Sequence, residues 1–221
     1  MKKLAAVFDL DGTLLDTLCD LTASVNYATS LLGLPLHTQD EVRSMVGNGV
    51  SVLMQRALPS DKRHLHGKAL ALQRQYYAAH SEHTRPYKGI VALLQRLRQA
   101  GFRIIVNTNK DEDVAYALCR QLLAGLVDEV CGTVVGFPVK PAVVRLAPRI
   151  KDFAAMYCGD SDVDVMTAAN AGIPCLSVTW GFRSEDYLLS HGAKSIARTP
   201  AQAEQAFLRF ADEVNGSVVN K

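Results

Sequence analysis

Two aspartates one residue apart, followed at once by a glycine, are the residues of this chain best suited to do chemistry: Asp9-Leu10-Asp11-Gly12. They close a short apolar run, Leu4-Ala5-Ala6-Val7-Phe8, which reads as a strand buried on both faces and hence as part of a parallel sheet. Loops at the carboxyl ends of such strands open into the crevice where α/β sheets hold ligands. Two carboxylates there are costly to desolvate unless something offsets their charge. Mg²⁺ is a natural partner, because it takes oxygen ligands, often only one or two carboxylates, and completes its shell with water and phosphate. The same pair suits reaction at phosphorus. One carboxylate attacks and carries an aspartyl-phosphate, and the other protonates the leaving oxygen and then deprotonates water. Gly12 leaves backbone N–H groups open to an anion. The plainer reading is a strand followed by an Asp-Gly turn.

The run Asp9-Leu10-Asp11-Gly12-Thr13-Leu14-Leu15-Asp16 resembles the first motif of the haloacid dehalogenase (HAD) superfamily phosphatases. The resemblance implies that Asp9 is the nucleophile and Asp11 the general acid and base, with three more stations downstream. Phe102-Arg103-Ile104-Ile105-Val106-Asn107 reads as a strand, and Thr108-Asn109-Lys110 at its end is similar to the second station. The resemblance gives the Thr108 hydroxyl to the phosphate and sets Asn109 beside it. The alternative is a helix N-cap before Asp111, and both can hold at once, since a helix N-terminus is itself an anion site.

The third station is Pro138-Val139-Lys140-Pro141, after a strand read over 130–135 and at a strand-to-helix junction. By resemblance Lys140 neutralises the phosphate and the nucleophile. The family pattern Lys-Pro-x-Pro lacks its second proline here, and Lys110 competes for the role. At the fourth station a strand, Phe153-Ala154-Ala155-Met156-Tyr157-Cys158, delivers Gly159-Asp160-Ser161-Asp162-Val163-Asp164, with a helix read over 165–171. The resemblance implies a Mg²⁺ site of Asp9, the backbone at Asp11, Asp160 and Asp164, the last acting directly or through water. Acids in a first helical turn also serve as caps.

The elements that must position these residues alternate strand and helix, except in one block. From Thr17 to His80 no strand pattern appears. Leu18, Leu21, Val25, Ala28 and Leu32 recur at helical spacing, and Gly33 and Pro35 end that helix. Thr38-Gln39-Asp40-Glu41 is a capping box that starts a helix at Gln39, and Gly47-Asn48-Gly49 stops it. Further helices are read over 50–57 and 61–80. Residues 42–50, Val42-Arg43-Ser44-Met45-Val46-Gly47-Asn48-Gly49-Val50, resemble the cap of phosphoglycolate phosphatases, where the glycine-rich turn faces the active site. Gly47 and Asn48 are accordingly read as substrate-facing, and Arg43 as a fork for a substrate carboxylate. The alternatives are a plain helix-turn-helix link and a solvated arginine. His64, His66, His80 and His83 match no metal-binding spacing.

After the block, Ile90 to Ala100 reads as an amphipathic helix, a further strand spans Cys175 to Thr179, and a last helix starts at Thr199-Pro200, with a frayed tail over 215–221. The chain of 221 residues is thus read as α/β: a doubly wound, parallel, Rossmann-like core over 1–15 and 84–221, with an inserted helical cap domain over 16–83. A net charge of +2 gives no case for nucleic acid or membrane as partner. The lysines of Met1-Lys2-Lys3 lead no signal peptide, because Asp9 and Asp11 break the apolar run. Five scattered cysteines without a Cys-x-x-Cys pair suit the cytoplasm. The expected function is Mg²⁺-dependent phosphomonoester hydrolysis of a small phosphorylated metabolite, 2-phosphoglycolate first, by a monomer or homodimer. The alternatives are a phosphatase for pyrophosphate or a sugar phosphate, a phosphomutase, and a non-catalytic phosphate-binding protein. A receiver-like phospho-switch would carry its aspartate on a middle strand and lack the helical insert.

Overall fold

Alternation along the first strand decides how the sheet is covered. The computed structural model describes residues 2–219, and in it β1 (Lys3–Phe8) sits near the middle of a parallel sheet. Successive side chains point to opposite faces. Leu4, Ala6 and Phe8 enter one apolar cluster, while Ala5 and Val7 enter another on the far side. A strand buried on both faces needs an apolar residue at every position, and Leu4 to Phe8 provides it. The partners of β1 are β4 (Phe102–Asp111) and β6 (Phe153–Gly159), both parallel to it. With β5 (Glu129–Thr133), β7 (Cys175–Val178) and β8 (Ile196–Ala197) the order is β5-β4-β1-β6-β7-β8. The chain first builds outward from β1 to one side and then crosses to the other. The carboxyl ends of β1, β4 and β6 therefore flank a switch in strand order, where a crevice opens.

Helices α5 (Ile90–Gln99), α6 (Glu112–Leu122) and α10 (Pro200–Val219) cover the first face through Leu93, Leu97, Leu118 and Phe207. Helices α7 (Ala147–Ile150) and α8 (Asp162–Ala171) cover the second through Ile150 and Ala168. A short helix, α9 (Glu185–Ser190), follows β7 and was not foreseen from the sequence.

Between β1 and β4 the chain forms a helical unit with its own apolar cluster. It contains α1 (Leu18–Leu31), α2 (Gln39–Met45), α3 (Val50–Ala57) and α4 (His66–Ala79). The expected capping box is present in full: Glu41 N–H donates to Thr38 Oγ1, and Thr38 N–H donates to Glu41 Oε2 at 2.7 Å. The single helix expected over 61–80 is instead a 3₁₀ turn, Ser60–Leu65, leading into α4. Two chain crossings join this unit to the sheet. They pair as a two-stranded antiparallel ribbon, β2 (Leu15–Asp16) with β3 (Arg85–Pro86). Beside it, the buried Asp20 accepts from Thr84 N–H and Thr84 hydroxyl, both at 2.7 Å, so the return crossing is tied to the first turn of α1.

Several boundaries differ from expectation for local reasons. The second-station residues continue β4 as far as Asp111, so Asp111 and not Thr108 is the N-cap of α6. Helix α8 starts at Asp162 and not Val165, because Ser161 and Asp164 close a capping box. Lys140 lies in an irregular stretch, not at a helix start; no helix follows until Ala147. Residues 215–219, expected to fray, continue α10, and 220–221 lie outside the described residues. Among the described residues, no helix is long and apolar enough to cross a membrane.

Candidate active site

The ends of β1, β4 and β6 bring the first, second and fourth stations to one rim, and the irregular stretch before α7 adds the third. Asp9, Asp11, Thr108, Asn109, Lys110 and Asp160 all border a cavity of about 230 Å³, whose opposite wall is the helical unit. The loop after β1 turns tightly on one acceptor: the N–H groups of Leu14 and Leu15 both reach the Leu10 carbonyl. Gly12 there has φ +86°, a left-handed conformation that favours glycine, and a Cβ would collide with the Asp160 carboxylate. Gly181, in the loop after β7, is held just as closely against Asp160 and the Gly12 carbonyl. Both glycines let the first and fourth stations touch.

Lys140 organises the acids. Its Nζ lies 2.9 Å from Asp9 Oδ1, 2.7 Å from Asp164 Oδ1 and 3.2 Å from the Tyr157 hydroxyl. Tyr157 is anchored in turn, donating to the Asn107 carbonyl at 3.0 Å. Burial by itself would lower the Lys140 pKa, but Asp164 and Asp9 hold it well above the ordinary value, so it stays charged. Asp164 is fully buried and both its oxygens are engaged. The second accepts from Ser161 N–H at 3.1 Å and Ser161 Oγ at 2.6 Å. Asp164 thus clamps the lysine and caps α8.

Asp9 is less satisfied. Although Lys140 lies close, the contact falls outside hydrogen-bonding geometry, and the buried Asp9 Oδ1 has no hydrogen-bond partner. Burial pushes its carboxyl up to about 8, against the pull of Lys140 and with added push from Asp164 and Asp160. Asp160 is raised to about 7, first by burial and then by Asp164. It accepts from Thr13 Oγ1 at 3.0 Å and from Phe182 N–H at 2.7 Å. Carboxylate oxygens of Asp9, Asp160 and Asp164 lie within 4.8 Å of one another. Desolvated acids converging around an orphaned oxygen fit a hard divalent cation.

Asp11 stands apart from this cluster. Its two oxygens lie 2.9 and 3.2 Å from Lys110 Nζ, which rests 4.4 Å from the centre of the Tyr77 ring of α4. The two lysines of the second and third stations therefore divide the work, one on each aspartate of the first motif. Thr108 lines the cavity, and its Oγ1 accepts from Lys110 N–H at 3.2 Å. Asn109 is a strut. Its Oδ1 accepts from Lys140 N–H at 2.8 Å, and its Nδ2 donates to the Gly47 carbonyl at 3.0 Å, so the glycine-rich turn of the helical unit is bonded to the end of β4.

Three residues proposed from the helical unit divide. Gly47 lines the cavity as expected. Asn48 turns away and accepts from Arg56 at 2.9 Å. Arg43 pairs with Asp40 at 2.9 Å and faces a second, separate pocket beside Tyr87 and Trp180. The arginines on the cavity are Arg74 and Arg183, both of which the sequence reading missed, and Arg183 sits at the glycine-rich turn. It crosses from the loop after β7 to the carbonyls of Arg43, at 2.8 Å, and Val46, at 2.6 Å, at the end of α2.

Residues 6–178 match the model of a family described as haloacid dehalogenase-like hydrolase. Among curated relatives, a protein named phosphoglycolate phosphatase from Agrobacterium fabrum is 33% identical over 191 residues, covering 80% of this chain and 81% of that protein. One from Cereibacter sphaeroides is 35% identical over 191 residues, 80% of this chain and 85% of its own. A solved structure of a haloacid dehalogenase-like hydrolase family protein from Streptococcus pneumoniae superposes with TM-score 0.82 at 27% identity, covering 94% of this chain and 100% of that one. The chain belongs to the haloacid dehalogenase-like hydrolase family and is a phosphatase.

Proposed function

We propose that this protein is a Mg²⁺-dependent phosphomonoesterase that acts on 2-phosphoglycolate through an aspartyl-phosphate. The observation that carries the mechanism is the unequal treatment of the two motif-one aspartates. Asp9 lies beside a charged lysine and two further acids, with one buried oxygen that completes no hydrogen bond, while Asp11 is held away from that cluster on the side of the helical unit. Asp9 is the nucleophile: a carboxylate oxygen attacks phosphorus, forming the O–P bond as the bond to the leaving oxygen breaks. Lys140 offsets negative charge on Asp9 and on the phosphoryl oxygens, and the Thr108 hydroxyl and the N–H groups around Gly12 orient those oxygens. Asp11 gives its proton to the leaving oxygen, then takes one from the water that hydrolyses the aspartyl-phosphate.

Asp9 and Asp160 would hold Mg²⁺ with the backbone at Asp11; Asp164, already bonded to Lys140 and Ser161, supports the site from behind. When bound, the cation supplies Lewis-acid neutralisation of the phosphoryl oxygens. The helical unit over 16–83 acts as the cap, excluding water from the cavity wall it provides. The substrate assignment is supported by the activity for which the A. fabrum and C. sphaeroides relatives are named.

The test is phosphate release from 2-phosphoglycolate, pyrophosphate and sugar phosphates, with and without Mg²⁺. The expected result is Mg²⁺-dependent release with 2-phosphoglycolate preferred. Equal rates across the panel would remove the substrate assignment, and release that ignores Mg²⁺ would remove the metal.

A further inference from the structure

Among the described residues, Arg74, Lys110 and Arg183 line the cavity and Lys140 lies behind Asp9, and all but Lys110 are committed. Lys140 divides its ammonium among Asp9, Asp164 and Tyr157. Arg183 holds backbone carbonyls at the end of α2. Arg74 of α4 pairs with Asp111, with Nε at 2.9 Å from one oxygen and Nη2 at 3.0 Å from the other. Lys110 is different. Its side chain is only 7% exposed, and among the described residues its one ion-pair partner is Asp11. An ammonium has three donors, so one carboxylate does not exhaust it.

Beside it is a second unspent group. The Tyr77 hydroxyl is buried and lies near Lys110 and Thr84, yet within hydrogen-bonding geometry of neither. An unpartnered buried hydroxyl is costly unless a ligand completes it. Tyr77 and Lys110 both line the cavity, and the rest of that wall is largely apolar: Leu21, Val50, Leu53, Ala78 and Val114. Gln73, a neutral polar side chain on the same side, already donates to Ser24 at 2.9 Å.

We infer that Lys110 Nζ and the Tyr77 hydroxyl form the receptor for a carboxylate on the leaving group, so that the enzyme selects short phosphomonoesters of hydroxycarboxylic acids. The inference rests on the proposed function and deepens it by naming the residues that read the substrate. Asp11 must lie within hydrogen-bond reach of the leaving oxygen to protonate it. Lys110 touches Asp11, so it borders whatever is attached to that oxygen. In 2-phosphoglycolate the carboxylate carbon is two bonds from the bridging oxygen, which brings the charge toward Lys110 without disturbing the phosphate under Lys140. A buried ammonium in a weakly polar wall discriminates strongly for an anion. A sugar leaving group would face the same wall with hydroxyls that find few partners. Tyr77 comes from the helical unit and Lys110 from β4, so the receptor is complete only when the two parts are together.

The experiment compares kcat/KM for 2-phosphoglycolate and for ethyl phosphate, which has the same carbon count and no carboxylate. Wild-type protein, Lys110→Met and Tyr77→Phe are measured, with folding checked by circular dichroism. The expected result is a wild-type preference for 2-phosphoglycolate that shrinks at least about 30-fold in Lys110→Met and about tenfold in Tyr77→Phe, mainly through KM. Equal losses on both substrates in the two variants would overturn the inference, because Lys110 would then act only through Asp11. Tyr77→Phe removes one oxygen atom and keeps the ring, so it decides the matter if Lys110→Met fails to fold. A wild-type enzyme with no preference between the two esters would remove the substrate reading and the inference together. A preference that survives both variants would remove the inference alone.

Discussion

The two lysine–aspartate pairs of this site are built differently. Lys140 and its partners Asp9, Asp164 and Tyr157 all belong to the sheet and the segments packed on it. Lys110 and Asp11 also sit on the sheet, but the aromatic ring against that lysine comes from the helical unit. The first arrangement is complete without the helical unit apart from one Asp9 oxygen, as suits a phosphoryl group common to every substrate. The second is finished only by the opposite wall of the cavity, as suits the part of the substrate that varies. On the proposed mechanism, Asp9 meets the phosphoryl group on the sheet side, and Asp11 meets the leaving group on the side where the helical unit lies.

The comparison can be broken at its most demanding point first. Asp9→Asn should lower turnover by about 10⁴-fold or more while the protein stays folded, because an amide is a poor nucleophile. Steady-state phosphate release together with a thermal melt checks both halves, and activity within tenfold of wild type would contradict the assignment. Lys140→Met should lower kcat/KM by about 10³-fold through lost stabilisation of the phosphoryl charge. It should also cost about 3 kcal/mol of stability, since the fully buried Asp164 loses its cation. Urea denaturation of the metal-free proteins measures that cost.

The acid cluster predicts a link between metal and pH. Carboxyls at about 8 for Asp9 and about 7 for Asp160 lie above their unfolded value of 3.8. Folding without metal therefore takes up protons between about pH 4 and pH 8. The stability of the metal-free protein should fall from these groups as pH rises through that window, then level off. Mg²⁺ replaces those protons, so the increase in melting temperature it produces should be larger at pH 8 than at pH 6. A larger increase at the lower pH would contradict the site.

The smallest effect is expected at the clasp between the two parts. Arg183→Met removes the hydrogen bonds to the end of α2 and should cost about 1–2 kcal/mol of stability while raising KM a few-fold. An unchanged KM would show that the position of α2 does not matter to the substrate.

Much of this was legible in the sequence, because the stations are short and local. An apolar strand delivering Asp9, Asp11 and Gly12, and another delivering Asp160 and Asp164, can be read without knowing the strand order. The capping box at Thr38 and Glu41 is equally local, and it came out as read. Arg43 and Asn48 failed for a reason also present in the sequence: Asp40 lies three positions before Arg43 and Arg56 eight after Asn48, and each takes its neighbour away from the cavity. Tyr157 was hidden inside an apolar run, and only the adjacency of β1 and β6 reveals that it supports Lys140. Tyr77 and Arg183 are further still from their partners in sequence. No periodicity reports a contact between α4 and the end of β4, or between the loop after β7 and α2.

The most direct test of the division between the two aspartates is to trap the enzyme during turnover of 2-phosphoglycolate with Mg²⁺. Borohydride reduces an acyl phosphate to an alcohol, so a phosphorylated aspartate is converted to homoserine and can be located by peptide mass spectrometry. The account predicts homoserine at position 9 and unmodified aspartate at position 11. Conversion at position 11, or at neither position while phosphate is being released, would contradict it.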